Sequence, residues 1–305
     1  MRVVIALGGN AIARRGESLD ADAQRLRVRE AAGAVADIAR GNELVVTHGN
    51  GPQVGLLALQ SQASPDVAPY PLDVLGAETE GMIGYLIEQE LASIFPSAEV
   101  ATLLTQVEVD PEDPAFRAPS KPIGPIHAEA QAEALRAHFG WTLVREGDGW
   151  RRVVPSPEPR RIRELPTIRR LLEAGVLLIC AGGGGIPVVA GADAGLRGVE
   201  AVIDKDLTAA LLATELGADA LLLLTDVPAV YEDWPEPRQR AVGRTTPQAL
   251  RALDLAPGSM GPKAEAACRF AERGGVAAIG ALEEARRVLI GEAGTRVSLT
   301  HGPTT

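Results

Sequence analysis

The chain has 305 residues, enough for one large or two modest domains around a sizeable core. Its 46% hydrophobic and 23% charged content excludes a disordered chain, and a net charge of −10 excludes the basic footprint of a nucleic-acid binder. Of 30 basic residues only Lys121, Lys205 and Lys263 are lysines, and asparagine stands only at Asn10, Asn42 and Asn50. Coding bias or heat adaptation explains the general shortage. A position that keeps Lys or Asn against that bias is a candidate for chemistry that needs the residue.

In chain order, the apolar run Val3–Leu7 reads as a strand that ends in Gly8-Gly9-Asn10, and Ala21–Arg40 follows as a helix. Leu44–Thr47 is a second strand, ending in His48-Gly49-Asn50-Gly51, and Val54–Gln62 and Met82–Ile94 are helical. Two proline clusters, Pro111 to Pro125 and Pro155 to Pro166, bracket a helix-like Ala128–Phe139 and a hairpin, Trp141–Arg145 with Trp150–Val154. Pro111–Pro159 is therefore expected to protrude as a small inserted subdomain. Beyond it come the helix Ile168–Ala174 and the strand Val176–Ala181, which runs into Gly182–Gly185. Val199–Asp206 reads as the start of a helix that continues through Leu216. The strand Ala220–Leu224 ends in Thr225-Asp226-Val227, and Pro262–Arg273 is a last helix. Uninterrupted apolar strands alternating with helices predict an α/β fold with a mostly parallel sheet sandwiched between helices. Ligands of such folds bind at the strand carboxyl ends, where all four special turns fall.

The chemistry follows from those turns. Gly8-Gly9-Asn10 and Gly49-Asn50-Gly51 let backbone N–H groups approach an anion, and a helix behind each adds favourable potential. A hairpin turn is the ordinary use of Asn-Gly, but the segment after Gly51 is helical. The run Gly182–Gly185 is costly to order and is expected to lie against a polyanion or a nucleotide phosphate. The dinucleotide fingerprint is a rival, weakened because the acidic residues at the right distance, Glu200 and Asp204, fall outside a second strand. All three lysines sit in Gly/Pro-rich turns, where a compact ammonium suits phosphoryl oxygens. Surface solvation is the ordinary fate of a lysine; convergence of the three on one phosphate is the sharper reading.

Other machinery is missing from the sequence. It has no Gly-x-x-x-x-Gly-Lys-Ser/Thr loop, no protein-kinase catalytic loop, no Gly-x-Ser-x-Gly and no Cys/His spacing for zinc. Of the four histidines only His48 occupies a site-like turn, as a turn hydrogen-bonder rather than a base. Cys180 and Cys268 lie in apolar stretches and are expected to be buried free thiols. No leader pattern and no membrane-length apolar run is seen, so a soluble, cytoplasmic protein with no membrane or nucleic-acid partner is expected.

The strings Ala6–Ala11, Thr47–Gly55 (THGNGPQVG), Lys121–Pro125 (KPIGP), Trp150–Pro157 (WRRVVPSP), Gly182–Val188 and Gly198–Asp206 (GVEAVIDKD), with Gly258–Lys263, resemble carbamate kinases, in order and over nearly the whole chain. The resemblance implies the amino-acid-kinase fold with a small protruding α+β subdomain, and usually a homodimer. It implies reversible phosphoryl transfer between ATP and carbamate, giving ADP and carbamoyl phosphate, with Mg²⁺. By position it assigns catalysis to Lys121, Lys205, Lys263 and Asp206, with Asp204 a rival organiser of the lysines. Substrate binding falls to Gly8, Gly9, Asn10, Gly49, Asn50, Gly51 and Gln53. Nucleotide binding falls to Gly183, Gly184, Asp226, Val227, Tyr231, Met260 and Pro262. Residues 1–200, including the protrusion 111–159, would form the substrate lobe and 201–305 the nucleotide lobe. Two alternatives stay open: a related kinase that phosphorylates another carboxylate, and a non-catalytic nucleotide-binding protein on the same fold.

Overall fold

Strand β1 (Arg2–Leu7) is the spine of the molecule, with Val3 to Leu7 wholly buried. The computed structural model describes residues 1–9, 12, 17–63, 66, 68–191, 195–234, 236, 238–256 and 258–299. After β1 come α1 (Ala21–Ala39), β2 (Glu43–His48), α2 (Gly51–Ser61), α3 (Leu72–Ile94), β3 (Val100–Leu103) and β4 (Gln106–Glu108). The middle of the chain holds β5 (Lys121–His127), α4 (Glu129–Phe139), β6 (Leu143–Glu146), β7 (Gly149–Val154), β8 (Arg161–Ile162) and α5 (Leu165–Glu173). Then follow β9 (Leu177–Cys180), β10 (Ile186–Ala190), β11 (Leu196–Gly198), α6 (Lys205–Leu216) and β12 (Ala220–Thr225). The last part contains β13 (Val230–Glu232), β14 (Arg240–Val242), β15 (Arg244–Thr245), α7 (Pro247–Arg251), α8 (Met260–Glu272), β16 (Val276–Ala281), α9 (Ala285–Ile290) and β17 (Thr295–Val297).

The main sheet has eight strands in the order β15-β17-β16-β12-β1-β2-β9-β3, and only the β16–β17 pairing is antiparallel. Alternation along each strand sends side chains to both faces. Val4, Ala6, Val45, Leu178, Leu221 and Leu223 pack with α5, α6 and α8 on one side. Val3, Ile5, Leu7, Leu44, Val46 and Leu222 pack with α1, α3 and α9 on the other. That two-sided burial explains why the strands read as unbroken apolar runs. Because β12, β1, β2 and β9 are consecutive and parallel, the turns leaving them lie side by side on one rim.

A separate antiparallel sheet, β5-β7-β6, with α4 packed on it, forms an arm beside α2. At its root two backbones touch: a Cβ on Gly55 of α2 would lie 1.9 Å from the Cα of Gly124 in β5. Gly124 itself has φ +69°, a left-handed conformation that glycine accepts without strain.

Two expectations fail. The helix expected from Met82 starts at Leu72, because Leu72 and Leu75 pack under the arm with Ile123 and Val154, a tertiary contact that overrides the weak local signal of Gly76 and Gly81. Val199–Asp204 is not helical, since Val199 N–H donates to Pro187 O and Val202 N–H to Pro155 O. The helix begins at Lys205, where the Asp204 carboxylate caps it by accepting from the amides of Asp206 and Leu207.

Candidate active site

The first two turns on the rim are fused by their glycines. Gly8 N–H donates to Leu224 O and Gly49 N–H to Leu7 O, so both continue the sheet ladder past the strand ends. A Cβ on Gly49 would lie 2.9 Å from Gly9 N and 3.4 Å from Lys205 Cε. Bare backbone and an ammonium stem therefore meet at one point. Asn10 lies outside the described residues. Asn50 occupies the N-cap position of α2 but makes no capping bond; its amide donates instead to Thr79 Oγ1 at 2.8 Å. The first turn of α2 thus keeps donors that no side chain caps, and nothing lies within 4 Å of where a Cβ on Gly51 would point. Ser259 likewise leaves the start of α8 uncapped, beside Met260 and Pro262.

Asp206 joins two of the lysines. Lys205 Nζ donates to Asp206 Oδ1 at 2.5 Å, and Lys263 Nζ to Oδ2 at 3.0 Å. Burial pushes the Asp206 carboxyl up, but the two ammoniums outweigh it and hold its pKa well below the usual carboxylate range. Burial pulls Lys205 down to about 8 despite Asp206, and the Lys263 charge adds to the effect. For Lys263 the same burial is outweighed by Asp206, and its pKa rises. The third lysine has a different partner: Lys121 Nζ donates to Asp204 Oδ2 at 2.7 Å, across the gap between arm and α6. Both aspartates are therefore engaged, Asp206 between two lysines and Asp204 as helix cap and anchor of the arm.

The remaining assigned residues divide. Asp226 is exposed, and its charge acts on Lys263. Val227 is half-buried beside it, and Tyr231 is half-buried on β13 with its ring 5.6 Å from that of Trp234. Gln53 is buried, and its amide donates to Gln24 Oε1 on α1. The glycine run is buried and close-packed. A Cβ on Gly182 would strike His48 Nε2, one on Gly183 the Asn50 amide, and one on Gly184 the Ile203 carbonyl. Its missing side chains thus have a packing reason independent of any ligand. Thr208 Oγ1 also donates to Gly184 O, tying the run to α6.

Sequence reasoning missed Thr79 and Glu80. Glu80 is 1% exposed, and its carboxylate accepts from Thr105 N at 3.1 Å and from Gly182 N at 2.8 Å. Burial pushes its pKa up to about 8, against the pull of those two amides. With Thr79 on Asn50, one turn of α3 grips the turns leaving β2, β3 and β9. The available signal was the stripe Leu72, Leu75, Thr79, Ile83 and Leu86, which puts a charge at 80 beside a buried face. His48 is wholly buried, its Nδ1–H donates to Gly49 O, and burial pushes its pKa down to about 4, so it is neutral.

Over residues 1–279 the chain matches the model of the amino acid kinase family. It is 54% identical over 300 residues to the carbamate kinase of Haemophilus influenzae, covering 98% of this chain and 97% of that protein. Among solved structures, carbamate kinase from Giardia lamblia bound to citric acid superposes with a TM-score of 0.92 at 41% identity, covering 98% of each chain. The same Giardia lamblia protein bound to AMP-PNP gives 0.89, again at 41% identity and 98% coverage of each chain.

Proposed function

The chain belongs to the amino acid kinase family and within it to the carbamate kinases, and we propose that it moves a phosphoryl group reversibly between ATP and carbamate. It is a phosphotransferase whose acceptor is already an anionic nucleophile, so no general base is needed; the neutral, buried His48 accords with that. The observation that carries the mechanism is Asp206 holding Lys205 and Lys263 together against the Gly9–Gly49 contact. Two ammoniums fixed in a water-poor site neutralise charge on the group in flight with little reorganisation. The uncapped amides of α2 receive the carbamoyl phosphate end, with Gly8, Gly9, Gly49, Asn50 and Gly51 as its floor. Lys121 would exchange Asp204 for the incoming anion as the arm settles over it.

Nucleotide falls on the side of Lys263, Asp226, Val227, Tyr231, Met260 and Pro262, and 1–200 and 201–305 serve as substrate and nucleotide lobes. The Giardia lamblia relative solved with AMP-PNP supports a nucleotide partner. Mg²⁺ would supply charge neutralisation on the nucleotide's phosphates. It dehydrates reluctantly and is held largely through phosphates, which fits a site offering the exposed carboxylate of Asp226 near Lys263. Gln53 supports the substrate turn from behind rather than touching substrate, given its bond to Gln24. No helix among the described residues is long and apolar enough to cross a membrane; we read the protein as cytoplasmic and, from the exposed Val74 and Tyr85 on α3 and Leu104 beside them, as a homodimer through that face.

The deciding experiment is ATP formation from ADP with carbamoyl phosphate, run beside other acyl phosphates. ATP from carbamoyl phosphate is expected, with the others poor donors; none from carbamoyl phosphate overturns the proposal.

A further inference from the structure

Within Trp150-Arg151-Arg152 two residues are fully occupied by the arm itself. Trp150 Nε1 donates to Glu129, and the Arg136 guanidinium lies 4.1 Å from the centre of its ring. Arg151 donates to Gly124 O at 3.0 Å and pairs with Glu146 at 3.2 Å. Arg152 alone makes no side-chain hydrogen bond or ion pair among the described residues; it rests on Trp141, 4.0 Å from the ring centre. It is half-buried on the central strand of the arm.

The register places this guanidinium. Lys121 opposes Val154 and Ile123 opposes Arg152. Directly opposed residues and alternate residues share a face, so Lys121, Ile123, Arg152 and Val154 all point the same way. The Lys121 end of that face is turned to the body, since Ile123 and Val154 pack with Val54, Leu72 and Val202, while Leu143 and Trp150 on the same face pack with α4. Leu143 opposes Arg152 and Val153 N–H donates to Thr142 O, so Trp141 stands level with Val154 and hence with Lys121. Trp141 borders Arg152 on the β6 side, while Lys121 lies diagonally across from it on β5. Diagonal neighbours of this kind have Cα atoms roughly 7–8 Å apart, within joint reach of one small anion.

We propose that Arg152 is the second cation of the arm and that, with Lys121, it grips the anionic substrate through a phosphate or carboxylate group. The name of that substrate rests on the phosphoryl-transfer reading above; the need for an anion does not. A desolvated guanidinium presents five donors, and an aromatic ring satisfies none of them as hydrogen bonds. The Glu200 carboxylate acts on it only through space and accepts instead from the Leu72 amide at 3.0 Å. Burial pulls the Arg152 pKa down to about 10, the mark of a charge lacking its counter-ion. A planar fork also supplies what the point charges of the lysines do not, a bidentate and orienting contact.

The test uses the full-length enzyme as Arg152→Leu and Arg152→Lys, with Glu200→Gln as comparison. Arg152→Leu should raise KM for carbamoyl phosphate roughly 10- to 100-fold, leave KM for ADP within about twofold, and leave the melting temperature equal or higher. Arg152→Lys should recover part of the loss. Inorganic phosphate should raise the melting temperature of the wild type more than that of Arg152→Leu, a readout that stands even if the wild type makes no ATP. The proposal is overturned if KM for carbamoyl phosphate is unchanged, or if the phosphate shift is the same in both proteins. It is equally overturned if Arg152→Leu and Glu200→Gln both lose melting temperature and affinity for both substrates alike, since Arg152 would then be a structural partner of Glu200.

Discussion

Asp206 accepts from two ammoniums at once, and the crowding around it dictates what each neighbour must be. Lys205 Cε is 3.4 Å from the place a Cβ on Gly49 would take, so the site has room for a thin stem and a point charge. Lys205→Arg brings a wider fork into that space and should cut turnover by at least ~10²-fold with little change in melting temperature. Near-normal kcat in that variant would remove Lys205 from the mechanism. The same burial sets a pH dependence. Lys205 is charged below about 8 and loses its proton above it. If the charge is used, kcat/KM, which reports the free enzyme, declines above that pH, while the limb in kcat lies higher because bound phosphate supports the ammonium. Linkage runs in the opposite sense for folding. The unfolded lysine holds its proton to about 10.4, so stability rises with pH between the two values. Glu80 titrates near the same pH. The kinetic limb should therefore persist in Glu80→Gln, and its disappearance there would reassign it to the carboxyl.

Elements matter here through what their faces allow. Helix α2 and strand β5 cross with backbone against backbone, and only two glycines permit it. Gly55→Ala puts a Cβ 1.9 Å from Gly124 Cα, so the arm must lift. The expected cost is about 1–3 kcal/mol, a fall of roughly 3–10 °C in melting temperature, together with a raised KM for carbamoyl phosphate. An unchanged melting temperature would mean that the arm is not seated on α2 as described. Helix α3 contributes differently. Its Thr79 and Glu80 hold Asn50, Thr105 and Gly182, so one turn of helix fixes three strand-end turns relative to one another. That turn was not legible in the sequence, because Gly76 and Gly81 weaken the helical signal and a glutamate ordinarily marks a solvated face. Asp204, by contrast, was visible as a carboxylate beside Lys205. Its two tasks, capping α6 and anchoring Lys121, needed the arm to be in place.

At the scale of the whole molecule the sheet order does the gathering. Strands β12, β1, β2 and β9 are neighbours, so turns distant in sequence open onto one rim. The layer beneath it holds both cysteines, Cys180 on β9 and Cys268 on α8, each free and buried. Burial pushes the Cys180 thiol up strongly and Cys268 to about 11. A thiol reagent at neutral pH should label neither in the native protein and both on global unfolding, at matching rates. Labelling of one alone under native conditions would show that this layer opens in parts.

The apolar runs, their glycine endings and the three exceptional lysines are local properties, so the sequence by itself determined the strands, the rim on which ligands meet and the cations to expect there. An arginine in an arginine-rich chain carries no such mark, and Arg152 became visible only by its lack of a partner in the folded arm. Only the tertiary structure decided which aspartate serves which lysine. Lys263 reaches Asp206 across 57 positions of chain and Lys121 reaches Asp204 across 83. It also decided that the glycine run is packed by His48, Asn50 and Ile203. Pairings of that kind depend on how separate segments dock, and docking is set by the shapes of buried faces, which no single stretch of sequence contains.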